Sequence, residues 1–83
     1  MNVMEDQIKM AAKLYRCRDT AKGILKEDYH NRIADYKAVI NQWNKTHDTD
    51  TLESVITICA MPDLNGVTIM MFMAAAVEII EPS

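Results

Sequence analysis

Only two glycines and two prolines interrupt these 83 residues, so the chain has few places to turn sharply. That scarcity excludes collagen-like, linker-like and low-complexity chains. It also excludes phosphate-cradling loops, because Gly23 and Gly66 cannot make up a G-x-G-x-x-G or G-x-x-x-x-G-K pattern. Cysteine is equally scarce. Cys17 and Cys59 stand far apart, and no C-x-x-C, H-E-x-x-H or G-x-S-x-G occurs. Zinc built from Cys17, His30, His47 and Cys59 would lack any ligand pair at the usual spacing, so neither metal nor cofactor is expected. The chain opens Met-Asn-Val-Met-Glu-Asp, with acids where a signal peptide carries bases and no apolar stretch behind them. The expectation is a cytoplasmic protein whose thiols stay reduced and serve as small core hydrophobes. Because its acids and histidines fall on solvated faces or in a loop, no enzyme is expected.

Against these absences stands a hydrophobic fraction of 49%, which argues for a compact chain. The expected fold class is all-α, a small helical bundle of three to four helices forming a single domain over residues 1–83. A domain of this size is near the limit at which one core suffices, so self-association is an expected source of help. The segment Val67–Ile80 organises the rest. From Val67 to Val77 it holds no charge and one hydroxyl, Thr68, leaving no polar face to meet water. A helix of this length reaches only about 21 Å, short of the ~30 Å hydrocarbon core of a bilayer. Its cover must therefore be protein, supplied by the upstream chain or shared with a second subunit.

From Val3 to Ala21 two apolar stripes recur at helical spacing, Met4-Ile8-Ala11-Tyr15 and Met10-Leu14-Cys17-Ala21. Lys9, Lys13 and Arg16 project together from the opposite side. With Lys22 and Lys26 they make the first 26 residues basic, six bases against three acids, while the remainder carries three bases against nine acids. Gly23 is read as a kink or short break. From Ile24 to Lys45 runs a seam of Leu25, Tyr29, Ile33, Tyr36, Ile40 and Trp43, the clearest helical pattern in the chain. Asn44–Thr49 is polar without period and reads as a loop. Asp50-Thr51-Leu52-Glu53 forms a capping box that starts a helix with inner face Leu52, Val55, Ile56 and Cys59, and Pro62 stops it. Asp63 or Asn65 then caps the final helix, which ends at Pro82.

Asp50-Thr51-Leu52-Glu53-Ser54-Val55-Ile56, followed after a short turn by a helix with Ala74-Ala75, resembles the central helix–turn–helix of the Hha family of nucleoid-protein modulators. That resemblance covers about a third of the chain and implies a protein that acts by docking on a partner. The final helix lacks the family's charged residues, so the partner does not carry over. In size, methionine content and lack of catalytic motifs the chain also looks like the small accessory proteins of phages and mobile elements, many of which inhibit host machinery.

Two functions are open to such a chain. The first is a non-enzymatic interaction protein, a homo-oligomer that regulates or inhibits an unidentified protein, with Tyr29, Tyr36, Trp43, Met70, Met71, Phe72 and Met73 as interface. Methionine suits irregular partner surfaces. The alternative is a binder of nucleic acid or of a phosphorylated small ligand through Lys9, Lys13, Arg16, Lys22 and Lys26, with an aromatic stacked on a base. Major-groove reading by the last helix is not expected, because Met70-Met71-Phe72-Met73 is the opposite of a polar, basic recognition face. No membrane partner is expected.

Overall fold

The computed structural model describes residues 3–82, with side chains from Ala11 onward. Among the described residues it is all helical, with α1 at Val3–Leu25, a 3-10 turn at Lys26–Asp28, α2 at Tyr29–His47, α3 at Thr51–Cys59 and α4 at Gly66–Ile80. None of these helices is long and apolar enough to cross a membrane.

Helix α4 is the centre. Residues Met71–Glu78 are buried without interruption, and Ala74, Ala75 and Ala76 have no exposed surface at all. A helix that is apolar all round has to be enclosed all round, and α1, α2 and α3 each pack directly on it. Small side chains in the middle of α4 let the three neighbours approach its backbone closely. For Met71–Glu78 the cover that the sequence demands is thus supplied by the chain itself, while Val67 and Ile80 at the two ends of α4 stay more than half exposed, at 57% and 51%.

Helices α1 and α4 run antiparallel. The Cys17 Sγ lies 3.6 Å from Met73 Sδ, while Ala11, Leu14 and Tyr15 share a cleft with Val77, Ile80 and Glu81. Likewise α2 is antiparallel to α4, with Tyr29 beside Glu78 at one end and Tyr36 against Phe72 at the other. Among the described residues no Cα of α1 comes within 8 Å of a Cα of α3, so Cys17 and Cys59 are too far apart for a disulfide without backbone movement. Both thiols are half-buried against the core, and desolvation pushes both above the ordinary cysteine value.

The helix ends follow local chemistry. Asp50 accepts a hydrogen bond from the Glu53 amide at 2.8 Å, and Asn65 accepts one from the Thr68 amide at 2.8 Å, each satisfying an orphan donor of a first turn. The final helix therefore uses Asn65 rather than Asp63 as its cap. Helix α3 stops at Cys59, before Pro62, and the Ala60 amide closes its last turn on Ile56.

Three expectations are corrected, two of them about the backbone. The first helix does not break at Gly23 but runs through it to Leu25. The interruption falls at Lys26, whose φ of 49° places a side-chain-bearing residue in the left-handed region. Asn44–His47 is helical and not loop, so the connection shrinks to residues 48–50. Asp48, with φ 51°, ends α2 in the left-handed conformation and returns its amide to the Asn44 carbonyl, a role that aspartate tolerates better than most residues. The buried Ser54 explains why the helix extends so far. Its hydroxyl meets the Asn44 amide and lies 2.6 Å from Thr49 Oγ1. Turned to satisfy its neighbours, the Asn44 amide nitrogen also donates to the carbonyls of Ile40 and Asp50, each at 3.2 Å. This clasp holds the end of α2 to the start of α3.

The third correction concerns the aromatic and methionine face. Tyr29, Met71, Phe72 and Met73 are between 2% and 7% exposed, because they fill the space between α4 and the helices that wrap it. As an interface to another molecule they are unavailable in this fold. Tyr36, Trp43 and Met70 remain half-buried.

Candidate functional site

A buried polar pair sits where α2 crosses the C-terminal half of α4. The Tyr29 hydroxyl donates to Glu78 Oε1 at 3.0 Å, and Lys22 Nζ stands 5.5 Å from the Tyr29 ring centroid. Desolvation, then the hydrogen bond to Glu78 and its negative charge, push the Tyr29 phenol well above its ordinary value. His30 contacts the same ring edge-on, at 5.3 Å. Tyr29, His30 and Glu78, with Ile33, Ala34 and Lys37, surround a recess of only 60 Å³, too small for an organic substrate. A phenol kept protonated and hydrogen-bonded to a carboxylate is a structural arrangement here, anchoring α2 to α4.

The basic residues of α1 do not form one surface. Lys13 and Arg16 are exposed, and the ion pair found among the described residues, Arg18 with Asp19 at 3.8 Å, involves neither. Lys22 is nine residues from Lys13, which on an α-helix is about 180° around the axis. It lies instead over the Tyr29 ring. Lys26 belongs to the interruption beyond α1. The Lys9 side chain lies outside the described residues. The fivefold cluster of the sequence reading is therefore divided in space, and the 100° advance per residue already carried that information for Lys22.

His47 stacks on Trp43, ring centroids 3.9 Å apart and planes 11° from parallel, with its Nδ1 3.2 Å from the Trp43 carbonyl oxygen. His30, by contrast, is on the exposed side of α2 near its start. No group of three or more His, Cys, Asp or Glu able to hold a metal gathers among the described residues.

The remaining features are apolar. At one end of the bundle, Ala11, Leu14, Tyr15, Leu52, Val77, Ile80 and Glu81 line an open cleft of 210 Å³. The Glu81 carboxylate beside it pushes the Tyr15 phenol up from its ordinary value. Two further clefts lie along α2 and share Val39. Asp35, Tyr36, Val39 and Phe72 line the first, of 230 Å³. Ala38, Val39, Gln42, Trp43, Thr46 and His47 line the second, of 420 Å³. Between them Val39 stands as a ridge, half exposed. Tyr36 forms one wall by packing edge-on to Phe72, centroids 4.8 Å apart and planes at 81°.

This strip unites two of the interface residues expected from sequence, Tyr36 and Trp43, with Val39, Thr46 and His47, which are not among the expected interface residues. The signal was available. Val39 follows Tyr36 by three residues and precedes Trp43 by four, so it shares their face.

Comparison with protein-family models, curated proteins and solved structures finds no match for the chain.

Proposed function

We propose that this chain is a non-enzymatic helical interaction protein, one that self-associates and regulates or inhibits a partner protein by occupying its surface. The observation that supports this reading is the pair of open apolar clefts that meet at Val39 on α2. The chain has already enclosed the Met71–Glu78 run of its most apolar helix, so this strip is left over from the core. Contiguous apolar surface rimmed by polar residues, here Asp35, Gln42 and Thr46, is a feature of protein contact sites. The recess at the buried Tyr29–Glu78 pair holds only 60 Å³, which fits a protein that binds and does not transform.

The test is site-specific photo-crosslinking in cells. A photoreactive residue at Val39 should give covalent protein adducts well above those from the same group at Asn31, an exposed position at the polar start of α2. Equal, background-level labelling at both positions overturns the reading.

A further inference from the structure

Helix α2 carries a near-palindromic strip. Arg32, Tyr36, Val39, Trp43 and Thr46 recur at intervals of four and three, and Asp35 and Gln42 each precede one of them by a single residue, so that all seven occupy one side of the helix. Counted outward in both directions from the level of residue 41, Val39 corresponds to Trp43, Tyr36 to Thr46, and Asp35 to His47. Such symmetry has a physical consequence. Two copies of this helix laid antiparallel about a two-fold axis at that level place each apolar residue on an apolar or hydroxyl residue of the other.

We infer that the α2 strip is the seam of an antiparallel homodimer in which the Val39 ridge of one copy enters the cleft beside Trp43 of the other. Resting on the reading of the chain as an interaction protein, this assigns one occupant, a second copy, to the surface. The relief supports it, because a ridge flanked by two clefts is the shape that interlocks with itself when one helix is reversed. Charge supports it too. Asp35 lines one cleft and His47 the other, so the reversed copy brings an acid to a base at each end of the seam. Arg32 likewise comes level with the partner's 48–50 turn, which holds Asp48 and Asp50. A parallel arrangement would instead stack Asp35 on Asp35 and Arg32 on Arg32. A single helix pair buries less than the ~800 Å² per partner of a standard interface, so the dimer should be a weak, concentration-dependent one.

Sedimentation or light scattering from micromolar to millimolar protein gives the dimer constant for wild type and variants, with circular dichroism to confirm that each is folded. Val39→Lys should weaken the dimer about ten-fold or more, since the dimer would bury two lysines, one from each copy, in apolar clefts. Asp35→Lys alone and His47→Asp alone should each weaken it about five-fold, and the double variant should recover most of that loss. Residues 35 and 47 of one chain are about 18 Å apart along the helix, so the recovery reports contact between chains. A monomeric wild type, a Val39→Lys variant that dimerises unchanged, or an absence of recovery in the double swap overturns the seam. A monomeric wild type also removes self-association from the proposed function, whose partner-binding half stands as long as the crosslinker at position 39 captures a different protein, because the two readouts are independent.

Discussion

Helices α2 and α4 carry apolar residues in opposite manners. Along α4 they are continuous, and the fold surrounds the run from Met71 through Glu78, leaving only the ends of the helix open. Along α2 they form a regular seam, yet only Tyr29, Ile33 and Ile40 are buried, while Tyr36 and Trp43 are half-covered and Val39 is half-exposed. The difference shows that periodicity sets the direction of a helix's apolar side and not its depth. A continuous apolar run must be enclosed, whereas an amphipathic helix is left with whatever margin its neighbours do not reach.

The comparison breaks most visibly through α4. Phe72→Ala removes a ring wedged between α2 and α4, and should cost about 3–5 kcal/mol, enough to leave much of so small a domain unfolded at room temperature; urea denaturation reads it directly. Next comes the anchor between the two helices. Tyr29→Phe deletes the donor to the buried Glu78 carboxylate and should cost about 1–3 kcal/mol by the same measurement. Tyr29 also carries a pH signature. Its pKa is raised in the folded state, so its contribution to stability is fully present below the ordinary tyrosine value near ~10 and is lost as pH rises above it. Denaturation midpoints should therefore fall more steeply above that pH in wild type than in Tyr29→Phe.

A smaller effect sharpens the contrast at the helix starts. Asp50→Ala removes the cap of α3 and should cost about 1 kcal/mol in thermal or urea unfolding. Gly23→Ala should move stability the other way, by about 0.4–1 kcal/mol, because Gly23 is helical, its φ is not positive, and a Cβ there meets nothing within 4 Å. Were Gly23 a left-handed break, the same change would destabilise. The smallest effect belongs to the exposed strip, where Val39→Lys should alter folding stability by no more than about 0.5 kcal/mol. Val39 and Phe72 line the same cleft, and the contrast between their substitutions measures how sharply core and surface divide within it.

Much of the architecture could be read from the chain before it was folded. The capping box at Asp50 and Glu53, the cap at Asn65 and the stop beyond Cys59 are local hydrogen-bonding and steric effects, complete within a few residues. Other features escaped because their causes are distant. Asn44 looks like a loop residue until Ser54 and Thr49 are placed beside it. Gly23 is the obvious candidate for a break, yet the backbone turns three residues on, at Lys26. The aromatic seam is legible in the spacing, but Met71, Phe72 and Met73 on α4 look like a surface for a partner until the chain's own helices are placed over them.

What the sequence determined by itself is the helical content, the chemistry of the caps and the necessity that the last helix be covered, since each follows from propensity, spacing and the cost of exposing apolar surface. Only the tertiary structure decided who provides that cover. An amphipathic pattern specifies that a face must be buried, but every apolar face satisfies every other about equally well. The choice among them rests on the joint packing of α1, α2 and α3 around three alanines with no exposed surface, and that same packing left the strip at Tyr36, Val39 and Trp43 open.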